Sequence, residues 1–452
     1  MIRDAIVGGA LRAGSELPGS RWLASELGVS RGVVSDAYAQ LTEQGFLITR
    51  RRCAPVIAPG RGGRVVSAAP RAVDGSVAHM RYDLSPLVPD IRLFPLGRWL
   101  ASGRRATQHV SAEVLGFREH RGERELREVL ADHLGRTRGV IAEPEQVVVT
   151  QGSGHSIDLL LRVLRGRGVA RVALEDPSHV TQRAQVLAAG MSVSAQPVDE
   201  EGIIVEGLEP GAVICTPAHQ FPTGVVLSSR RRRELLEWSR ATGSFVIEDD
   251  YDAEFGSDQG RLRSLQGVAP DRVIHIASVS QTLAPALRLG WMVVPTALLD
   301  DVDRHRRLSD GFSPPLDQLA LAHFVSSGHH ARHVRSTRAI YHARRDLVLQ
   351  ALTDQLPDLG VSGVQAGMHV VLSLPTELDD SVIADRLRFQ RVQVPPLSPL
   401  CIERADLSGL IIGYGCLHEA AIPRVVQRIA TTLRDDAEDD ASGRDWLAVA
   451  GL

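Results

Sequence analysis

Asp249 closes the apolar run FVIED and is followed by Asp250 and Tyr251. A carboxylate there can pair with a protonated ring nitrogen, and a phenol beside it can bond a ring oxygen. Ser278 closes VIHIAS, and with Ser280 and Arg288 it offers two hydroxyls and a guanidinium, a set suited to a phosphate. QGSGHS follows VVVT and opens a helical pattern, so Ser153, Gly154 and His155 can add backbone N–H groups to the same anion. His179, in EDPSH, can stack on a flat ring. What the chain lacks is an amine: all 51 residues counted as Lys+Arg are arginine. A guanidinium stays protonated, and the amide nitrogen of Gln281 is not nucleophilic. Covalent chemistry through a side-chain amine is therefore excluded.

These residues need a scaffold that gathers strand ends. VVVT, VALED, AVICTP, FVIEDD and VIHIAS are short apolar runs ending in polar residues, with helical patterns between them. That alternation predicts a mainly parallel sheet with helices on both faces. Ligands of such sheets sit beyond the carboxyl ends of the strands. A length of 452 residues implies two or three domains. The hydrophobic fraction of 44% and charged fraction of 23% fit a globular protein. No apolar run approaches the roughly 18 residues of a membrane span, and MIRDAIVGGALRAG has no secretory pattern, so a cytoplasmic protein is expected. Cys53, Cys215, Cys401 and Cys416 form no C-x-x-C pair, and no metal site is expected.

Charge is uneven. Residues 1–64 hold nine arginines against five acids, a balance of +4, while the remainder holds 42 against 49, a balance of −7. A small basic part on an acidic body suggests a nucleic-acid reader joined to something else. Within it, Ser30 can cap a helix in which Val34, Ala37, Tyr38 and Leu41 form one buried stripe. The opposite face presents Arg31, Gly32, Ser35 and Asp36. In a helix-turn-helix that end enters the major groove, where Arg31 can reach a guanine edge or a phosphate and its small neighbours allow close approach. FLIT and PVIA flank Arg50, Arg51 and Arg52, a winged hairpin whose arginines can lie across the phosphate backbone. Residues 58–80, rich in Gly, Ala, Pro and Ser, read as a linker, and the acidic residues 436–452 as a disordered tail.

The segment from Leu17 to Leu41 fits L-P-x-S-R-x-L-A-x-x-L-G-V-S-R-x-x-V-x-x-A-Y-x-x-L and resembles a GntR-type winged helix, here residues 1–57. The resemblance implies Arg21, Ser30 and Arg31 as DNA contacts. Two departures are Val33, where the family often has threonine, and RRRCAP, where its wing is usually Gly-rich. Ile2 to Val7 begins partway along the helix that normally opens this domain, so an upstream start or a short first helix is expected. LREVLADHLGRTRGV, EDPSH, TPAHQFPTG, IEDDYDAEF, SVSQTLAPALRLG and GHHARHVRSTRAIYHARR resemble the aminotransferase-like half of MocR/GabR-type regulators, here residues 81–435. The resemblance implies an α/β fold: an N-terminal winged helix-turn-helix, a large fold-type I aminotransferase-like domain with a mainly parallel sheet, and a smaller C-terminal α+β subdomain. It also places Asp249 on a pyridine nitrogen, Tyr251 on the ring oxygen, and Ser278, Ser280 and Arg288 on the phosphate of pyridoxal phosphate.

The departures cluster in that pocket. Gln281 stands where the family has the lysine that bonds the cofactor aldehyde, His179 where it has a stacking tyrosine, and Gly154 where it often has glutamine. Ile411 stands where some members have a carboxylate-binding arginine. High-GC coding bias accounts for arginine replacing lysine over a surface, but a residue needed for covalent chemistry resists such drift. The expected protein is thus a homodimeric transcriptional regulator reading a double-stranded operator with two half-sites. Its aminotransferase-like domain would be an inactive sensor, binding pyridoxal phosphate, pyridoxamine phosphate or a similar flat anion without a covalent bond. The alternatives are a lysine-independent enzyme moving protons through His219, His275 or His179, and a regulator sensing an unrelated metabolite.

Overall fold

The computed structural model describes residues 17–44, 46–49, 55–58, 80–108, 110–256, 263–363 and 367–442. The chain divides into two units, Met1–Ser76 and Val77–Leu452.

In the first unit, α1 (Ser20–Leu27) and α2 (Arg31–Glu43) are joined through Gly28, whose φ of +65° is reached without strain only by glycine. Ser30 is the N-cap of α2, and its side chain accepts from Val33 N–H. Val34, Tyr38 and Leu41 face a core with Leu17 and Ala24, as their spacing predicts. Tyr38 keeps its hydroxyl satisfied by donating to the Pro18 carbonyl at 2.8 Å. Two short strands, β1 (Leu47–Ile48) and β2 (Val56–Ile57), pair antiparallel and close that core with Leu47 and Ile57. They flank the expected wing. Arg50–Arg52, the opening helix, the linker apart from its end residues, and residues 443–452 lie outside the described residues.

The second unit is built on an eight-stranded sheet. In chain order its strands are β3 (Val147–Thr150), β4 (Arg171–Asp176), β5 (Ser192–Asp199), β6 (Gly202–Ile203), β7 (Ala212–Cys215), β8 (Phe245–Asp249), β9 (Val273–Ser278) and β10 (Gly290–Val293). In space they run β3-β10-β9-β8-β7-β4-β5-β6. The central pairs β9–β8, β8–β7, β7–β4 and β4–β5 are parallel, and β10 runs against both β9 and β3. The five apolar runs noted in the sequence are all strands. The reading did not single out β5, whose alternation is mixed with polar residues and a proline, or β10, which begins inside a loop motif. Helix α3 (Arg124–Arg138) ends at Gly139 in the left-handed region. Helix α4 (Ser153–Gly166) is buried at Ile157, Leu159, Leu160, Leu161, Val163 and Leu164, because it packs on the sheet and under its neighbours. Helix α5 (Val180–Ala188) follows β4.

Helix α6 (His329–Gln355) leads into a smaller α+β part, a three-stranded antiparallel sheet of β11 (Val361–Ser362), β12 (His369–Ser373) and β13 (Gly409–Gly413). Helix α7 (Ile422–Ser442) covers it, burying Ile422, Val425, Val426 and Ile429. This corrects the expected boundary at residue 435.

Candidate functional site

The site forms where β3, β9 and β10 end together. Thr150, Gly290 and Ser278 are register partners across these strands. A Cβ added at Gly290 would fall 2.7 Å from the Gly152 Cα, so two backbones cross here with no room for a side chain. Gly152 itself, at φ +101°, turns the chain into α4. A Cβ there would lie 3.4 Å from Arg288 Nη1, which places the guanidinium over the N-terminus of α4. Ser278 Oγ accepts from Ser280 N–H at 3.3 Å and lies 3.5 Å from Gln281 Oε1. A helix N-terminus, two hydroxyls and an exposed arginine thus share one rim, a set of groups whose chemistry suits a dianion.

Beside this rim is a cavity of about 190 Å³, lined among others by Ser153, Gly154, His179, Asp249, Tyr251 and Gln281. Ser278, Ser280 and Arg288 border it without lining it. His155 is not brought to it: its Nδ1 accepts from Gln151 N–H, and its Nε2 lies 3.7 Å from Asp310. The His155 ring stabilises the turn, because the i to i+4 geometry returns it to the chain before α4; the expectation for His155 concerned its backbone N–H and not this ring. Ile411 is fully buried and packs against Val371 and Leu397, so it is a core residue of β13.

Asp249 Oδ2 accepts from Gln182 Nε2 at 3.0 Å, while its buried Oδ1 has no partner. Burial, reinforced by the negative charges of Asp250 and Asp252, pushes the Asp249 carboxyl up to about 7, against the pull of Gln182. A buried acceptor left open in a cavity wall fits a cationic N–H donor on a ligand. Tyr251 Oη shares a 2.9 Å hydrogen bond with His219 Nδ1, which also lies 2.9 Å from Asp252. His179 caps α5 by accepting from Thr181 N–H, and its ring lies 5.6 Å from that of Phe221 at 35°. Burial lowers its pKa, so it offers a neutral flat face.

Several members of the wall were missed, among them Gln182, Thr216, Phe221 and Glu175. Glu175, at the end of β4, lines the cavity and accepts from Thr216 N–H, Thr216 Oγ1 and Gln220 Nε2. Burial pushes it up to about 7 despite those bonds. Its position at the polar end of the run VALED, where EDPSH begins, was the available signal; only the pairing of β4 with β7 buries it against Thr216 and makes it a wall.

The family "Aminotransferase class I and II" matches residues 92–429, and "Bacterial regulatory proteins, gntR family" matches residues 1–56. An uncharacterized HTH-type transcriptional regulator of Bacillus subtilis, YhdI, is 31% identical over 92% of this chain and 91% of its own. The probable rhizopine catabolism regulatory protein MocR of Rhizobium meliloti is 29% identical over 91% of this chain and 88% of its own. The chain belongs to the MocR-type family of GntR regulators. A kynurenine aminotransferase of Pyrococcus horikoshii, solved with pyridoxamine phosphate, shares the fold of the aminotransferase-like domain at a TM-score of 0.73, 23% identity, 80% of this chain and 93% of its own.

MocR-type chains carry the DNA-binding module of the GntR family, and the described part of that module here has an open face. Arg21, on α1, and Ser30, Arg31, Gly32 and Ser35, at the start of α2, are all exposed. Val33 stands among them at 58% exposure, an apolar surface where the family often has a hydroxyl. No helix among the described residues is long and apolar enough to cross a membrane.

Proposed function

We propose that this MocR-type regulator works in the cytoplasm as a homodimer on an operator with two half-sites, and that its aminotransferase-like domain is a sensor without enzymatic activity. The absence of lysine carries the second part. Gln281 stands in the cavity wall where a side-chain amine would be needed, and no other residue of the chain can supply one. The rest of the wall fits a pyridoxal-type ligand. Asp249 would take the ring N–H on its open Oδ1, His179 would lie against the ring, and Ser278, Ser280, Arg288 and the N-terminus of α4 would hold the phosphate.

A bound pyridoxal group supplies an electron-withdrawing ring and an aldehyde. Here the surrounding residues bind and orient; none is arranged to carry a proton at Gln281. His219 is held by Tyr251 and Asp252, and His275, fully buried, lies between Glu248 and Asp250. His179 uses Nδ1 as a helix cap. Without the covalent bond, affinity rests on charge-assisted contacts worth roughly 1.5–3 kcal/mol each, so binding is reversible. Binding must then favour one arrangement of the chain over another to act on DNA.

The test is borohydride reduction with pyridoxal phosphate followed by peptide mass analysis, in parallel with titration calorimetry. Wild type should bind and yield no adduct on an internal peptide, whereas Gln281→Lys should yield one at that position. An internal adduct in wild type would overturn the sensor reading. Absent binding in wild type and in Gln281→Lys would mean that the wall serves a different metabolite.

A further inference from the structure

Behind the loop that carries Gln281, three elements distant in sequence bring their metal-binding side chains together. His133 of α3, Glu254 of the short 3-10 turn Ala253–Phe255 and His330 of α6 each offer a ligand atom, all within 4.8 Å of one another. His133 Nε2 lies 3.4 Å from Glu254 Oε1. With metal–nitrogen and metal–oxygen bonds of about 2.0–2.2 Å, adjacent ligands of a tetrahedral ion stand roughly 3.4 Å apart. The pair is therefore already at the spacing of one tetrahedral edge.

His330 gives the second, independent observation. It is 2% exposed, its Nε2 lies 3.3 Å from Thr282 Oγ1, and its Nδ1 has no hydrogen-bond partner. In the tautomer whose Nε2–H donates to that hydroxyl, the lone pair lies on the unpartnered Nδ1, and a second hydrogen bond on the other ring nitrogen is the arrangement usual for metal-bound imidazole. A charged His133–Glu254 ion pair would explain two of the three residues and leave that buried nitrogen unsatisfied. The rings of His133 and His330 meet edge to face, with centroids 5.5 Å apart.

We propose that His133, Glu254 and His330 form a binding site for a divalent first-row cation of the zinc type, with a fourth position left for water or a small ligand. Two imidazoles and one carboxylate are a donor set that zinc accepts, and hard cations such as magnesium do not favour it. Occupancy would tie α3, α6 and the turn after β8 together behind Thr282, the residue next to Gln281. The site lies outside the cavity and does not depend on the ligand assigned there.

The experiment uses the full chain stripped with chelator and then titrated with Co²⁺, read by its visible spectrum, and with Zn²⁺, read by calorimetry and elemental analysis after gel filtration. Wild type should bind one equivalent with a tetrahedral cobalt spectrum. His330→Asn and Glu254→Gln should each weaken binding by on the order of tenfold or more, while the exposed control His418→Asn should leave it unchanged. Circular dichroism checks the fold of each variant; if His330→Asn does not fold, the partly exposed Glu254→Gln carries the test. No stoichiometric binding by wild type, or equal binding by every folded variant, overturns the proposal.

Discussion

Replacing Asp249 with asparagine should make the ligand-free protein more stable at alkaline pH. The variant keeps the side-chain shape and an oxygen to accept from Gln182. It removes a carboxylate that is 8% exposed, has one oxygen unpartnered and stands near Asp250 and Asp252. The folded protein holds the Asp249 proton more tightly than the unfolded chain, so this group favours folding below its unfolded pKa, and that contribution is lost as pH rises through the folded value. The displacement from 3.8 to about 7 corresponds to about 4 kcal/mol at full ionisation. Between pH 5 and pH 8 the advantage of Asp249→Asn should therefore grow by about 2–3 kcal/mol. Glu175 titrates in the same sense, and Asp249 is one of the charges raising it, so the substitution also eases Glu175 and adds to the gain. The assay is urea unfolding followed by far-ultraviolet circular dichroism at both pH values and one protein concentration, taking the transition of the large unit. An advantage that stays flat or reverses between pH 5 and pH 8 would refute the assignment of an uncompensated buried charge. Added pyridoxal phosphate should shrink the wild-type deficit, because a ring N–H neutralises the open oxygen.

Other outcomes follow from the same geometry. Arg288→Ala should weaken pyridoxal phosphate binding in calorimetry by roughly 1.5–3 kcal/mol, the value of one charge-assisted contact; an unchanged isotherm would remove Arg288 from the phosphate rim. Arg31→Ala should cost about 1–3 kcal/mol on the operator in fluorescence anisotropy and less on unrelated duplex if it reads a base; equal losses on both would assign it to the phosphate backbone. Ser30→Ala should destabilise α2 by about 0.5–2 kcal/mol through loss of its cap, seen as a lower melting point of the DNA-binding unit. Gly290→Ala should abolish stable folding of the large unit or binding at the rim, since its Cβ would sit 2.7 Å from the Gly152 Cα; a variant with normal melting and normal affinity would contradict the backbone crossing.

The sequence by itself determined what depends on neighbours in the chain. The Ser30 cap, the Val34–Tyr38–Leu41 stripe and the five strand runs are set by contacts within a few residues, and local pattern is enough to read them. It also determined the chemistry that is absent, because a chain without lysine cannot form a side-chain imine in any fold. Tertiary structure alone decided which polar groups face one another. His155 and His179 follow strands in similar ways, yet one ring turns toward Asp310 and the other lines the cavity. Glu175 is one acid at the end of the run VALED, and only the pairing of β4 with β7 buries it against Thr216. His133, Glu254 and His330 share no motif, and only the packing of α3 and α6 around one turn brings them together. Parallel strands make this division inevitable: each neighbour in the sheet is reached through a helix, so the residues of the site are separated by whole elements, and no short window of sequence holds two walls of the same pocket.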